Sequence, residues 1–247
     1  MLKTLTLVTL SSLIRMAKIL LIKNKIKKFN KQIKISGDKS LSIRWVLLAS
    51  QAIGRSRGYN LLMSEDVLSA IDAIKKLGIK VKNYKNYCEI FGNGINGFKY
   101  KKNLTINARN SGTLGRLLLG LLVKSPQKIK LIGDKSLSKR DFSRVTLPLK
   151  KFGAKFFYKT KNRLPLSILG SQSLKGIKYE ENKGSAQCKS SVMLAALNSS
   201  GTTFIKAKKS RNHSELLFKY LNIPIKIRKS QKYDYINIKS PKKINAF

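Results

Sequence analysis

Ser36-Gly37-Asp38-Lys39-Ser40-Leu41-Ser42-Ile43-Arg44 runs directly into the apolar stretch 45–52. A small polar turn opens a strongly apolar segment, and the same plan recurs twice. Asn110-Ser111-Gly112-Thr113 leads into 117–123, and Gly184-Ser185-Ala186-Gln187 leads into 192–197. A basic residue follows one helical turn in, as Arg44, Arg116 or Lys189, at separations of 72 and 73 residues. Self-similarity at a fixed period marks a repeat architecture. The three apolar segments are hydrophobic nearly all round, so they are expected to be buried helices.

A second helix is expected in each unit. Its openings are Ser64-Glu65-Asp66, Ser138-Lys139-Arg140-Asp141 and Ser210-Arg211-Asn212-His213, with the serines 74 and 72 residues apart. Serine is a favoured N-cap, and Ser138 with Asp141 has the form of a capping box. Val67, Ala70, Ile71 and Ile74 follow at helical period in the first unit, as do Leu216, Leu217, Tyr220 and Leu221 in the third. Gly78, Gly153 and Asn222 stand where a left-handed C-terminal cap belongs. Strands are expected between the helices at 59–62, 128–132 and 202–206, and after them at 79–81, 154–158 and 223–227. Leading strands are expected at 33–35 and 104–106. The fold class is α/β, with three repeated βαβαββ units of about 70 residues forming one lobe by nearest-neighbour stacking.

The 247 residues carry 52 Lys+Arg against 11 Asp+Glu, a net charge of +41. The lysines are spread from end to end, with no zinc-finger spacing and no RNA-binding aromatic signature, which favours compositional bias over a dedicated polyanion site. Cys88 and Cys188 form no CxxC pair, and His213 stands alone, so neither a disulfide framework nor a zinc site is indicated. A reducing, cytoplasmic compartment is expected. The apolar run 5–14 is too short to span a bilayer. Residues 1–15 are expected to be an extension, with Met16 the natural start and 16–30 a leading segment.

A helix start rich in small residues presents free backbone N–H groups and the positive end of the helix dipole. One such start contributes only about 0.3–1 kcal/mol to anion binding when exposed. Stacked repeats bring several starts to one edge, and here they carry Lys39, Arg44, Arg116, Arg140 and Arg211. Charge-assisted hydrogen bonds from arginine are roughly twice as strong as neutral ones. The expected ligand is small, anionic and phosphorylated.

On these residues the chain resembles the EPSP synthase family. The block 36–44 looks like that family's opening motif, and Asn60-Leu61-Leu62-Met63-Ser64-Glu65-Asp66-Val67 is similar to its next block. Asn110-Ser111-Gly112-Thr113 with Arg116 resembles its phosphoenolpyruvate loop. The run from Leu131 to Arg140 resembles the strand–loop that follows. Ser185-Ala186-Gln187 with Lys189-Ser190 resembles the bacterial subgroup with that variant, and Ser210-Arg211-Asn212-His213-Ser214-Glu215 closes the series. The likeness covers about residues 30 to 228 in order.

The resemblance implies transfer of the enolpyruvyl group of phosphoenolpyruvate to the 5-hydroxyl of shikimate 3-phosphate, on the route to chorismate and aromatic amino acids. It implies no metal and no organic cofactor. Lys39 would be the catalytic cation, lying between the substrates. Ser40 and Arg44 would bind shikimate 3-phosphate. Gly112 and Arg140 would hold phosphoenolpyruvate, with Asn110 and Thr113 shaping the loop. Ser185, Ala186 and Gln187 would contact shikimate 3-phosphate, and Ser210 or Arg211 would complete the phosphate cradle. Asn212 stands where related sequences usually carry Asp, and Trp45 where they carry a small residue. The small Gly112 implies glyphosate sensitivity in a complete enzyme.

Family members work in a cleft between two lobes, and their acid/base carboxylates come mainly from the second. The units expected at about 31–103, 104–176 and 177–240 make one lobe, with 241–247 starting a linker toward the other. The chain is therefore expected to be a partial, weakly active or inactive monomer. Its one candidate macromolecular partner is a separate C-terminal lobe, with no specific nucleic acid and no membrane. Two other identities fit less well. A UDP-N-acetylglucosamine enolpyruvyl transferase would carry a reactive loop cysteine, and neither Cys88 nor Cys188 is so placed. A basic nucleic-acid-binding protein would bind with a steep salt slope and ignore shikimate 3-phosphate.

Overall fold

The computed structural model describes residues 28, 30, 32, 33 and 35–247. It divides into two compact units, Met1–Ile35 and Ser36–Phe247, and every element below belongs to the second. The extension expected at 1–15 and the apolar run 5–14 lie outside the described residues. So does Lys34, and its neighbours Ile33 and Ile35 carry no strand.

The three units have matching parts. The first comprises α1 (Lys39–Ala49), β1 (Ile53–Tyr59), α2 (Glu65–Lys76), β2 (Lys80–Asn83) and β3 (Tyr87–Asn93). The second comprises β4 (Thr105–Asn107), α3 (Gly112–Leu121), β5 (Ile129–Ile132), the one-turn α4 (Lys135–Ser138), α5 (Ser143–Lys151), β6 (Lys155–Tyr158) and β7 (Leu166–Leu169). The third comprises β8 (Lys178–Glu181), α6 (Ala186–Ala196), β9 (Thr202–Lys208), α7 (His213–Tyr220), β10 (Ile225–Lys229) and β11 (Tyr233–Lys239).

The sheets run β1-β3-β2, β4-β5-β7-β6 and β8-β9-β11-β10. In the last two a parallel pair, β4 with β5 or β8 with β9, is joined by a buried helix and extended by antiparallel strands. In the first, residues 244–247 fill the equivalent edge. The Ile53 N–H donates to the Ile244 carbonyl at 2.8 Å, the Arg57 N–H to the Phe247 carbonyl at 2.8 Å, and Ile53 bridges Asn245 in parallel. The stretch expected to leave the lobe thus lies against it.

Local chemistry sets the helix ends. Asp38 caps α1 by accepting from the Leu41 N–H at 2.7 Å, and Ser111 and Ser185 do the same for Leu114 and Cys188. Gly78, Gly153 and Asn222 end the second helices at φ values of 85°, 95° and 53°. An asparagine or glycine is favoured there because a Cβ crowds the left-handed conformation. Helices α1, α3 and α6 lie in one continuous apolar core, and Gln187 alone of α6 is not buried.

Three local expectations need correction. Ser138 does not cap the second helix of its unit; it ends α4, and the helix starts at Ser143, whose N–H and hydroxyl donate to Asp141 at 2.7 and 2.6 Å. Ser64 and Ser210 make no capping bond, and α7 begins after Asn212. The first connecting strand is Ile53–Tyr59, not 59–62, because Asn60 turns left-handed at φ 51° and ends it. Among the described residues no helix is long and apolar enough to cross a membrane.

Candidate active site

The starts of α1, α3, α6 and α7 are tied together by side chains from all three units. On α3, Gly112 is the first helical residue and Thr113 the second. The Gln187 side chain, at the start of α6, donates through Nε2 to Thr113 Oγ1 at 3.0 Å and accepts at Oε1 from Arg116 Nη1 at 2.9 Å. Arg116 Nη1 also donates to the Gly112 carbonyl at 3.3 Å, and its guanidinium lies over the Phe142 ring, 5.2 Å from the centroid. Arg140 reaches the same turn, donating through Nη2 to Asn110 Oδ1 at 3.3 Å.

A Cβ on Gly112 would sit 2.8 Å from Arg116 Nη1 and 2.9 Å from Arg140 Nη1. Two guanidinium groups therefore flank a bare helix start. Burial pulls the Arg116 guanidinium below its ordinary range, and the neighbouring Arg140 and Arg144 add to that. The Gly112 N–H donates to the Asn110 carbonyl at 2.9 Å and the Leu114 N–H to Ser111, so it is chiefly the crowded cations that make this helix start suited to an anion.

Ser185, which leads into Ala186 and Gln187, is held from behind by Glu181. This buried carboxylate accepts from the Ser185 N–H at 2.7 Å, the Lys183 N–H at 3.3 Å and Arg144 Nη2 at 2.8 Å. Sequence reasoning missed Glu181 and Arg144, which are 37 residues apart and match no local pattern.

At α1, Lys39 is half-exposed with Nζ 3.2 Å from Asp66 Oδ2. Gly37 is required in the preceding turn, since a Cβ there would lie 1.9 Å from the Asn60 carbonyl oxygen. Arg44 lies beneath the helix starts, only 4% exposed. Its Nη1 donates to the Ser40 carbonyl at 3.1 Å, Nη2 to Ser190 Oγ at 3.0 Å and Nε to Ser214 Oγ at 2.8 Å. It was expected among the cations of the rim; the structure makes it the buried tie between α1, α6 and α7. Burial lowers its pKa to about 10, against the opposing pull of Glu215 and with a further push from Arg211. Lys189 is likewise buried, paired with Glu215 at 2.5 Å. Arg211 is exposed ahead of α7, and the Ser210 hydroxyl is buried without a hydrogen-bond partner.

Direct contacts thus gather Asn110, Gly112, Thr113, Arg140 and Gln187. Ser40 joins them through Arg44, whose partner Ser190 lies one turn beyond Gln187, whereas Lys39 pairs with Asp66 on α2. Cys88 and Cys188 are free and buried, and burial pushes both thiols up, Cys88 to about 11. Among the described residues no three His, Cys, Asp or Glu side chains gather as metal ligands.

The family model described as EPSP synthase (3-phosphoshikimate 1-carboxyvinyltransferase) matches residues 23–246. A 3-phosphoshikimate 1-carboxyvinyltransferase of Streptococcus mutans is 41% identical over 189 residues, covering 76% of this chain and 44% of the relative. One from Streptococcus pyogenes is 42% identical over 185 residues, with 74% and 43% covered. A solved EPSP synthase structure from Acinetobacter baumannii superposes with a TM-score of 0.79 at 30% identity, covering 87% of this chain and 48% of that one. The chain spans less than half the length of the curated relatives it matches.

Proposed function

The chain belongs to the EPSP synthase (3-phosphoshikimate 1-carboxyvinyltransferase) family, and from that membership we propose that this lobe binds shikimate 3-phosphate and phosphoenolpyruvate for enolpyruvyl transfer. The observation that carries the proposal is the array in which Arg140, Arg116, Thr113 and Gln187 surround the bare start of α3 at Gly112. Transfer builds a tetrahedral intermediate and releases phosphate, so it needs fixed cations and N–H donors where negative charge develops. In this reading Gly112 and Arg140 hold phosphoenolpyruvate, with Asn110 and Thr113 keeping the loop in shape. Ser40, Arg44, Ser185, Ala186 and Gln187 take shikimate 3-phosphate, and Ser210 and Arg211 close the cradle. Lys39 swings from Asp66 to lie between the two ligands.

The buried carboxylates at the site are committed to structural roles: Glu181 to Arg144 and backbone N–H groups, and Glu215 to Lys189. Acid/base groups would therefore come from a second lobe. The buried free cysteines support a reducing, cytoplasmic setting. The test is calorimetric titration of the chain with shikimate 3-phosphate, followed by a turnover assay with both substrates and an added C-terminal lobe. Saturable binding, with phosphate release only in the presence of the second lobe, is expected. Absence of any response to shikimate 3-phosphate, with salt-steep RNA binding instead, overturns it.

A further inference from the structure

Beneath the helix starts lies a buried cluster whose charges do not balance. Arg44, Lys189, Ser190, Ser214 and Glu215 are each at most 4% exposed. The cluster holds two cations and one carboxylate, a surplus of one positive charge. A buried charge without a counter-ion is unfavourable, so the way this carboxylate is shared matters.

Glu215 follows Ser214, whose Oγ accepts from Arg44 Nε at 2.8 Å, and its negative charge favours the Arg44 cation against the burial that opposes it. Yet Glu215 pairs with Lys189, at 2.5 Å. Arg44 donates only to neutral oxygens: the Ser40 carbonyl, Ser190 Oγ and Ser214 Oγ. Neither Lys189 Nζ nor the Glu215 carboxylate has a hydrogen-bond partner with good geometry, so apart from each other nothing holds them.

We infer that Lys189 is a positioning residue that holds Glu215 in its own ion pair, leaving Arg44 without a direct carboxylate partner and its charge available to the anionic ligand at the helix starts. The inference rests on the ligand seat proposed above. Without Lys189, Glu215 turns to the other buried cation of the cluster, and Arg44 becomes the internal half of a neutral pair. The ligand then competes with a carboxylate that is always present, an intramolecular rival of high effective concentration.

The test uses the full chain, with Lys189→Met and Lys189→Met/Glu215→Gln each titrated calorimetrically with shikimate 3-phosphate and, separately, with inorganic phosphate. The single variant is expected to bind about tenfold or more weakly, the scale of one lost charge-assisted contact. The double variant should return to within about threefold of wild type, because the competing carboxylate is gone. An ordinary structural ion pair predicts the opposite, with the double no better than the single. That result overturns the inference, as does wild-type affinity in Lys189→Met.

Should Lys189→Met fail to fold by thermal melt, Glu215→Gln alone decides. Affinity at or above wild type supports the withholding role, and a loss refutes it. Binding of inorganic phosphate without shikimate 3-phosphate would defeat the proposed substrate while leaving the Lys189 comparison readable. If wild type binds neither anion, both fall.

Discussion

Two glycines on α3 make opposite predictions from one helix. A Cβ on Gly115 would meet Phe142 ring carbons at 3.5 Å and the Ala108 Cβ at 3.7 Å, which is ordinary contact. A Cβ on Gly120 would lie 2.2 Å from the Ser191 carbonyl oxygen on α6. Comfortable contact needs about 3.5 Å, so α3 and α6 would have to part by roughly 1 Å. Three bonds cross that interface: Ser191 Oγ to the Arg116 carbonyl at 2.8 Å, and Gln187 with Thr113 and Arg116 at 3.0 and 2.9 Å.

Gly120→Ala gains about 1 kcal/mol of helix propensity. Against this stand about 1–3 kcal/mol of overpacking and about 1 kcal/mol for a lost hydrogen bond, for a net loss near 2 kcal/mol. Gly115→Ala keeps the propensity gain without a clash and stabilises by about 0.5–1 kcal/mol. For a lobe this size the melting points should fall by about 4–8 °C and rise by about 1–4 °C respectively. Urea unfolding followed by circular dichroism measures both, and the slope with denaturant should stay constant while the midpoint moves. Anion affinity should weaken in Gly120→Ala but not in Gly115→Ala, because only the former strains the Gln187 bridge. If both variants unfold at the wild-type urea concentration, the close approach of α3 and α6 is wrong.

Further outcomes follow from other parts of the site. Gly112→Ala pushes a methyl between Arg116 and Arg140, the ends of flexible arms; phosphoenolpyruvate binding by calorimetry should weaken about tenfold or more while the melting point stays put. Glu181→Gln removes the charge behind Ser185 and Arg144 and should cost about 2–3 kcal/mol in urea unfolding, a cost below 0.5 kcal/mol counting against it. His213 is held below its ordinary pKa of 6.5, first by burial and then by Arg44. The unfolded chain therefore takes up a proton that the folded chain refuses as pH falls from about 6.5 toward the folded value, so stability is full above that window and declines through it. As the only histidine, it gives a clean NMR titration; phosphate bound nearby should raise its midpoint, and a midpoint indifferent to saturating phosphate would count against an anion seat there.

Much of this molecule is readable along the chain because its information is local. A capping side chain acts within three residues, so Asp38, Ser111 and Ser185 mark helix starts before any coordinates exist. Gly78, Gly153 and Asn222 mark helix ends for the same reason, through one residue's own backbone freedom. Repetition of these signals at a constant interval was enough for the three-unit lobe.

What escaped was decided by partners far away in sequence. Ile53–Tyr59 is rich in glycine, arginine and serine, with the strand expected at 59–62 instead. It forms a strand because β3 and residues 244–247 pair with its two edges and Trp45 packs against Gly58. The basic residues one turn into each first helix looked equivalent, yet Arg44 is bound by Ser190 and Ser214, 146 and 170 positions on, Arg116 by Gln187, and Lys189 by Glu215. Short-range sterics and capping chemistry wrote the repeat into the order of residues. The identity of each cation's acceptor, and so the charge left for a ligand, exists only once three units fold against one another.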